Sequence, residues 1–139
     1  MLKNKLADFS NLEREYYMKA VVSVACSDGT IHEKEKEFVN AQAELFSIDP
    51  NPYWEKPEKD LSFLGKAEIS RMNSLVIIRD CIVLGHIDKN FADTERKRVN
   101  QIAEYLKLGK SDVKAIEKWL KELWSVLEKG KTLFEEENL

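Results

Sequence analysis

Two stretches of this chain, Val21–Ile48 and Cys81–Leu108, repeat one another at an offset of sixty residues. With that offset, Asp28 falls on Asp88, Glu35 on Glu95, Val39 on Val99, Asn40 on Asn100, Ala43 on Ala103 and Glu44 on Glu104. Between the identities apolar meets apolar: Val24 with Leu84, Ile31 with Phe91, Phe46 with Leu106, Ile48 with Leu108. Such a chain is read first as one unit used twice, because a repeated supersecondary unit buries its apolar face against its neighbour.

The unit is a helical hairpin. Apolar residues recur with helical spacing and strand alternation is almost absent. Ser10, Asn11, Leu12 and Glu13 form a capping-box pattern that opens a first helix. That helix runs through YYMKAVVSVACS to Asp28-Gly29, and it is apolar on most sides, as a central helix must be. A second helix is predicted over 33–46, with Phe38, Ala41, Leu45 and Ile48 inward. IDPNPYWEKPEKD holds all three prolines and reads as a linker, pinned by Tyr53 and Trp54, with a short helix near 59–64. The second unit predicts helices over 70–86 and 93–106. A last helix is capped by Ser111-Asp112, carries Val113, Ile116, Leu120, Leu123 and Leu127 as its stripe, and stops at Gly130. The expected class is therefore all-α: a single domain over 1–139, with repeat halves near 10–48 and 70–108 and a C-terminal helix near 111–129.

Composition narrows the function. The 22 basic and 25 acidic side chains give a net charge of −3, without the basic excess of a nucleic-acid-binding domain. Cys26 and Cys81 sit in apolar stretches and read as reduced, structural thiols. No apolar run reaches the roughly 20 residues of a membrane span, and the N-terminus lacks a signal-peptide pattern. The expectation is a cytoplasmic protein. Phosphate-loop, GxSxG and HExxH motifs are missing from the sequence, so no enzyme is expected.

The acidic turns are the candidate chemistry. Each hairpin has an Asp closing its first helix and a Glu seven residues on: Asp28 with Glu35, Asp88 with Glu95. If the halves pack about a pseudo-twofold axis, four carboxylates approach one another. At ~4 Å and an effective dielectric near 20, each like-charge pair costs about 4 kcal/mol, so a cation, basic partners or a shared proton is required. Oxygen ligands favour Ca²⁺ or Mg²⁺, while His32 or His86 would shift the preference to Zn²⁺ or Mn²⁺. The alternative is turn and capping chemistry, with Lys34, Lys36, Arg96 and Lys97 as partners. Asp80, inside LVIIRDCIVLG, either braces another element or joins the cluster; adjacent Arg79 points about a hundred degrees away.

At these residues the sequence resembles the TerB-like family of tellurite-resistance proteins, whose module also opens some membrane-anchored DnaJ-type co-chaperones. The resemblance is carried by AVVSVACSDGTIHEKEKEFV and by LVIIRDCIVLGHIDKNFADTERKRVNQIAEYLKLGKSDV, and extends over about 16–124. Ser27 replaces the family's Ala, and Lys89 its second Gly. The resemblance implies an all-α bundle of about seven helices with a pseudo-twofold core. It also implies a role in a metal-linked or stress response, with a divalent cation on Asp28, Glu35, Asp80, Asp88 and Glu95. The competing expectation is a metal-free scaffold whose acidic turns dock a basic protein partner. Trp54, in the linker, is that scaffold's candidate contact residue.

Overall fold

The computed structural model describes residues 8–87, 91 and 93–136. Among these there are six α-helices and no strand: α1 (Asn11–Ala25), α2 (Glu33–Phe46), α3 (Asn51–Glu55), α4 (Arg71–His86), α5 (Asp93–Tyr105) and α6 (Lys110–Glu136). The resemblance implied about seven, one more than is found among the described residues, and the short helix expected near 59–64 is a 3₁₀ helix, Ser62–Lys66. α1 packs most extensively on α4. Each also packs on the second helix of its own hairpin, α1 on α2 and α4 on α5, and α6 closes over α4 and α5. Tyr17, Val21, Val24, Ile77, Ile78, Cys81, Ile82 and Leu84 fill the centre, so both apolar-all-round helices are central ones.

The repeat extends beyond the stretches that reveal it in the sequence. Ser10 accepts the Glu13 amide at 3.1 Å, and sixty residues on Ser70 accepts the Asn73 amide at 3.1 Å. Glu13 also returns the bond to the Ser10 amide, completing the capping box. These equivalent residues touch, because Asn73 Nδ2 donates to Glu13 Oε2 at 3.1 Å. Contact between equivalents is what an axis relating two halves produces. At the other end α2 and α5 finish alike. Ser47 (φ 59°) and Lys107 (φ 63°) adopt the left-handed conformation. Ile48 and Leu108 then bond back to the carbonyls of Ala43 and Ala103, each at 2.9 Å. This is the Schellman closure, made here without the usual glycine.

Three local expectations are corrected. The buried face of α2 is Glu35, Val39, Ala43 and Phe46, while Leu45 is exposed. A stripe drawn through apolar residues alone misses a phase that is set by a buried glutamate. α6 does not stop at Gly130 but runs to Glu136. A lone helical glycine costs only about 1 kcal/mol, and helix-forming residues continue on both sides of it. The proline-rich linker contains α3, and Trp54 is no exposed contact: its Nε1 donates to Asn40 Oδ1 at 2.8 Å and its ring is partly buried.

Candidate functional site

The first acidic turn is built by the end of α1. Gly29 takes φ 83°, and Asp28 Oδ1 accepts the Thr30 amide at 3.0 Å, so this Asp performs turn chemistry. Its Oδ2 lies 3.6 Å from His32 Nε2, and the same nitrogen lies 3.9 Å from Glu35 Oε1. The imidazole thus sits between the two carboxylates of the predicted pair. Glu35 is 0% exposed and Glu95, its equivalent on α5, is 2% exposed. Asp88 lies outside the described residues.

Asp80 belongs to a different place. It is 4% exposed, in the α1–α4 interface. Its Oδ2 accepts the Tyr17 hydroxyl at 2.7 Å, and its Oδ1 accepts Arg79 Nε at 2.9 Å. The expectation that Arg79 points away from Asp80 is therefore overturned. The guanidinium stem is long enough to fold back along the helix, and a buried carboxylate rewards it for doing so. Burial, and then the Asp80 charge, raise the Tyr17 hydroxyl well above the usual phenol range. The same burial pushes the Cys81 thiol up, and Cys26 more mildly, so neither is a ready thiolate.

The five acidic residues of the sequence prediction therefore do not form one described cluster. Asp28 and Glu35 flank His32, Asp80 braces the helix pair, and Glu95 is buried on α5. Among the described residues no three His, Cys, Asp or Glu side chains are arranged to hold an ion. Of the five residues on which the resemblance implies a cation, the four described ones are therefore not brought together at one place, and the fifth, Asp88, lies outside the described residues.

A second polar cluster, which the sequence did not disclose, joins α6 to the body. His86 Nε2 lies 2.6 Å from Glu117 Oε2, and both Arg96 terminal nitrogens donate to the Glu117 carboxylate at 3.1 Å. The Phe91 ring lies under Arg96, 4.2 Å from its guanidinium carbon, and meets His86 edge-on, as does Trp124. No room is left there: a Cβ on Gly85 would sit 2.7 Å from the Phe91 ring. The Arg96 bonds, aided by His86 and Lys121 and opposed by burial, hold the Glu117 carboxyl down to about 2. These partners lie 31 and 21 residues from Glu117, so no local spacing signals them. Beside the cluster, Val83, His86, Ile87, Lys121 and Trp124 line a crevice of about 460 Å³.

Residues 2–54 match the family model described as "Tellurite resistance protein TerB". That stretch is similar to TerB. Nothing matches significantly among curated proteins or solved structures. The TerB match covers α1, α2 and α3, the half that contains the first acidic turn. The sixty-residue register relates that half to α4 and α5, which lie outside the match. No helix among the described residues is long and apolar enough to cross a membrane.

α6 carries the other candidate surface. Val113 and Leu120 are buried against the body, but the same helix face continues past it. Leu123 is 39% exposed, Val126 63%, Leu127 60% and Leu133 60%. The spacing 113, 116, 120, 123, 127, 130 is an unbroken heptad seam, widened by Trp119, Val126 and Leu133 seven residues apart.

Proposed function

We propose that this TerB-like chain is a non-catalytic helical interaction module. Its contact surface is the distal half of α6, and its acidic turns are internal struts of the hairpins. The observation that carries this reading is the exposed apolar seam from Leu123 to Leu133, continuous with the seam that α6 uses inside its own chain. Contiguous exposed apolar surface is costly for a soluble protein and marks contact sites. A role in a stress response rests on the description of the matched family, tellurite resistance, alone.

The test is a photo-crosslinking side chain at position 127 in intact cells, with position 37 on the exposed face of α2 as control. The reading predicts polypeptide adducts from 127 and none from 37. An absence of adducts from 127 would overturn it.

A second reading keeps a divalent cation at the first acidic turn. It is favoured by the approach of Asp28 and Glu35 to one imidazole. It is opposed by the Thr30 amide already on Asp28 and by the engagement of Asp80 elsewhere. Calcium or magnesium would suit the carboxylates, and zinc would suit a site that included His32.

A further inference from the structure

Where the end of α1, the linker and the start of α5 meet, a crevice of about 510 Å³ is lined by Ser27, Lys59, Thr94, Lys97, Arg98 and Gln101. We propose that this crevice binds a compact polyphosphate, of which inorganic pyrophosphate is the simplest. The site is separate from α6 and does not rest on the reading of α6 as a contact surface.

Three cations converge there, one from the linker and two from α5, alongside two hydroxyls and a carboxamide. No carboxylate is among these lining residues, in a chain with 25 acidic side chains against 22 basic ones. The acids that adjoin them in sequence are engaged elsewhere. Asp28 accepts the Thr30 amide and lies beside His32, Asp60 accepts the Ser62 amide at 2.9 Å, and the Asp93 charge bears on Arg96. Among the described residues, Lys59, Lys97 and Arg98 form no ion pair.

Arg98 is half-buried and already positioned. Its Nη1 donates to the Lys59 carbonyl at 3.2 Å and to Gln101 Oε1 at 2.8 Å, which also ties the linker to α5. Its Nε and Nη2 have no partner among the described residues. A guanidinium presents such donors as a planar fork that matches phosphate oxygens.

The repeat separates this feature from the needs of the fold. Sixty residues earlier, α2 carries Glu37 and Phe38 where α5 carries Lys97 and Arg98. The hairpin is built twice and the paired cations occur once. Charge and lining then set the ligand. One phosphoryl group carries about −1.5 to −2 at neutral pH, so two joined groups balance three cations. No aromatic or aliphatic side chain lines the crevice, which therefore offers nothing to a nucleobase or an acyl chain.

The test is calorimetric titration of the full, chelator-stripped chain with sodium pyrophosphate at low salt. Saturable one-to-one binding is expected, weakening as salt is raised, because the charges are exposed. Lys59→Gln and Lys97→Gln should each weaken it about threefold, within the range of an exposed ion pair. Lys118→Gln, an equal loss of charge on α6, should leave it unchanged. All three lysines are exposed, so each variant keeps its helical circular dichroism. ADP and phosphoserine separate the sources of phosphate: ADP should bind no more tightly than pyrophosphate, and phosphoserine more weakly. Heats of dilution alone for the parent would overturn the proposal. So would equal weakening by Lys118→Gln, which would reduce the binding to diffuse charge attraction. Tighter binding of ADP or phosphoserine than of pyrophosphate would overturn the compact polyphosphate as ligand, in favour of an organic carrier.

Discussion

Arg79→Leu should destabilise the protein by about 3–5 kcal/mol, the cost of leaving a buried charge without its counter-charge. The Asp80 carboxylate has two observed partners, the Arg79 guanidinium and the Tyr17 hydroxyl, and it lies in the interface between the two central helices. Removal of Arg79 leaves one hydroxyl to offset a desolvated negative charge. Tyr17→Phe removes the other donor and should cost about 1.5–3 kcal/mol, the span for hydrogen bonds to charged groups. Asp80→Asn should be the mildest of the three. The amide is neutral, it still accepts from Tyr17, and the partly exposed Arg79 can turn to water. Urea unfolding measures all three, as a shift in midpoint at constant slope. A loss below about 1 kcal/mol for Arg79→Leu would mean that Asp80 is solvated and available to another ligand, against its role as a brace.

Glu117→Gln should lower stability at pH 7 by about 1.5–3 kcal/mol, and the difference from the parent should vanish in acid. Glu117 lies on α6 and is held by Arg96 of α5 and His86 of α4, with Lys121 nearby on its own helix. Its carboxyl is depressed from an ordinary value of 4.5 to about 2 in the folded chain. A carboxylate with a lowered folded-state pKa contributes stability that is fully present above its unfolded value. That contribution is lost as pH falls through the folded one. The gap between parent and variant should therefore be constant from pH 7 to about 5, shrink between 4.5 and 2, and close below that. Other acids titrate in both proteins and cancel in the difference. Thermal or urea unfolding at pH 7, 4.5, 3 and 2 gives the curve. A gap unchanged at pH 2 would show that the variant acts through packing rather than through charge. Because this cluster ties the near half of α6 to the body, along with the Arg71–Asp112 pair at 2.8 Å, it also sets where the distal seam points.

The hairpins were legible in the sequence because the repeat is written in residues that must be buried. Glu35 and Glu95, Val39 and Val99, and Ala43 and Ala103 recur at four-residue spacing, and these are the inward faces of α2 and α5. The inward face drawn from apolar residues alone fell out of phase, since it passed over the glutamate that begins the buried stripe. The repeat identities carried the better signal. Helix ends were legible at Ser10, where a side chain caps, and at the ends of α2 and α5, expected at 46 and 106 and found at Phe46 and Tyr105; the left-handed closure at Ser47 and Lys107 carried no glycine to announce it. The continuation through Gly130 was lost because one glycine was weighed above the seam that crosses it. The polar contacts were out of reach for a simpler reason: Tyr17 and Asp80 are 63 residues apart, and only the crossing of α1 over α4 brings them together. Pairing the acids by sequence interval could not show that Asp28 and Glu35 both approach His32 Nε2.

On the proposed function, the acidic residues hold the hairpins in shape and the contact surface is the outer face of α6. Calorimetric titration of chelator-stripped protein with Ca²⁺, Mg²⁺ and Zn²⁺, alongside Asp28→Asn, tests this most directly. Heats of dilution alone are expected for all three ions, with the parent and variant traces superimposed. Saturable binding at micromolar affinity, present in the parent and lost in Asp28→Asn, would contradict it and make the first acidic turn a cation site.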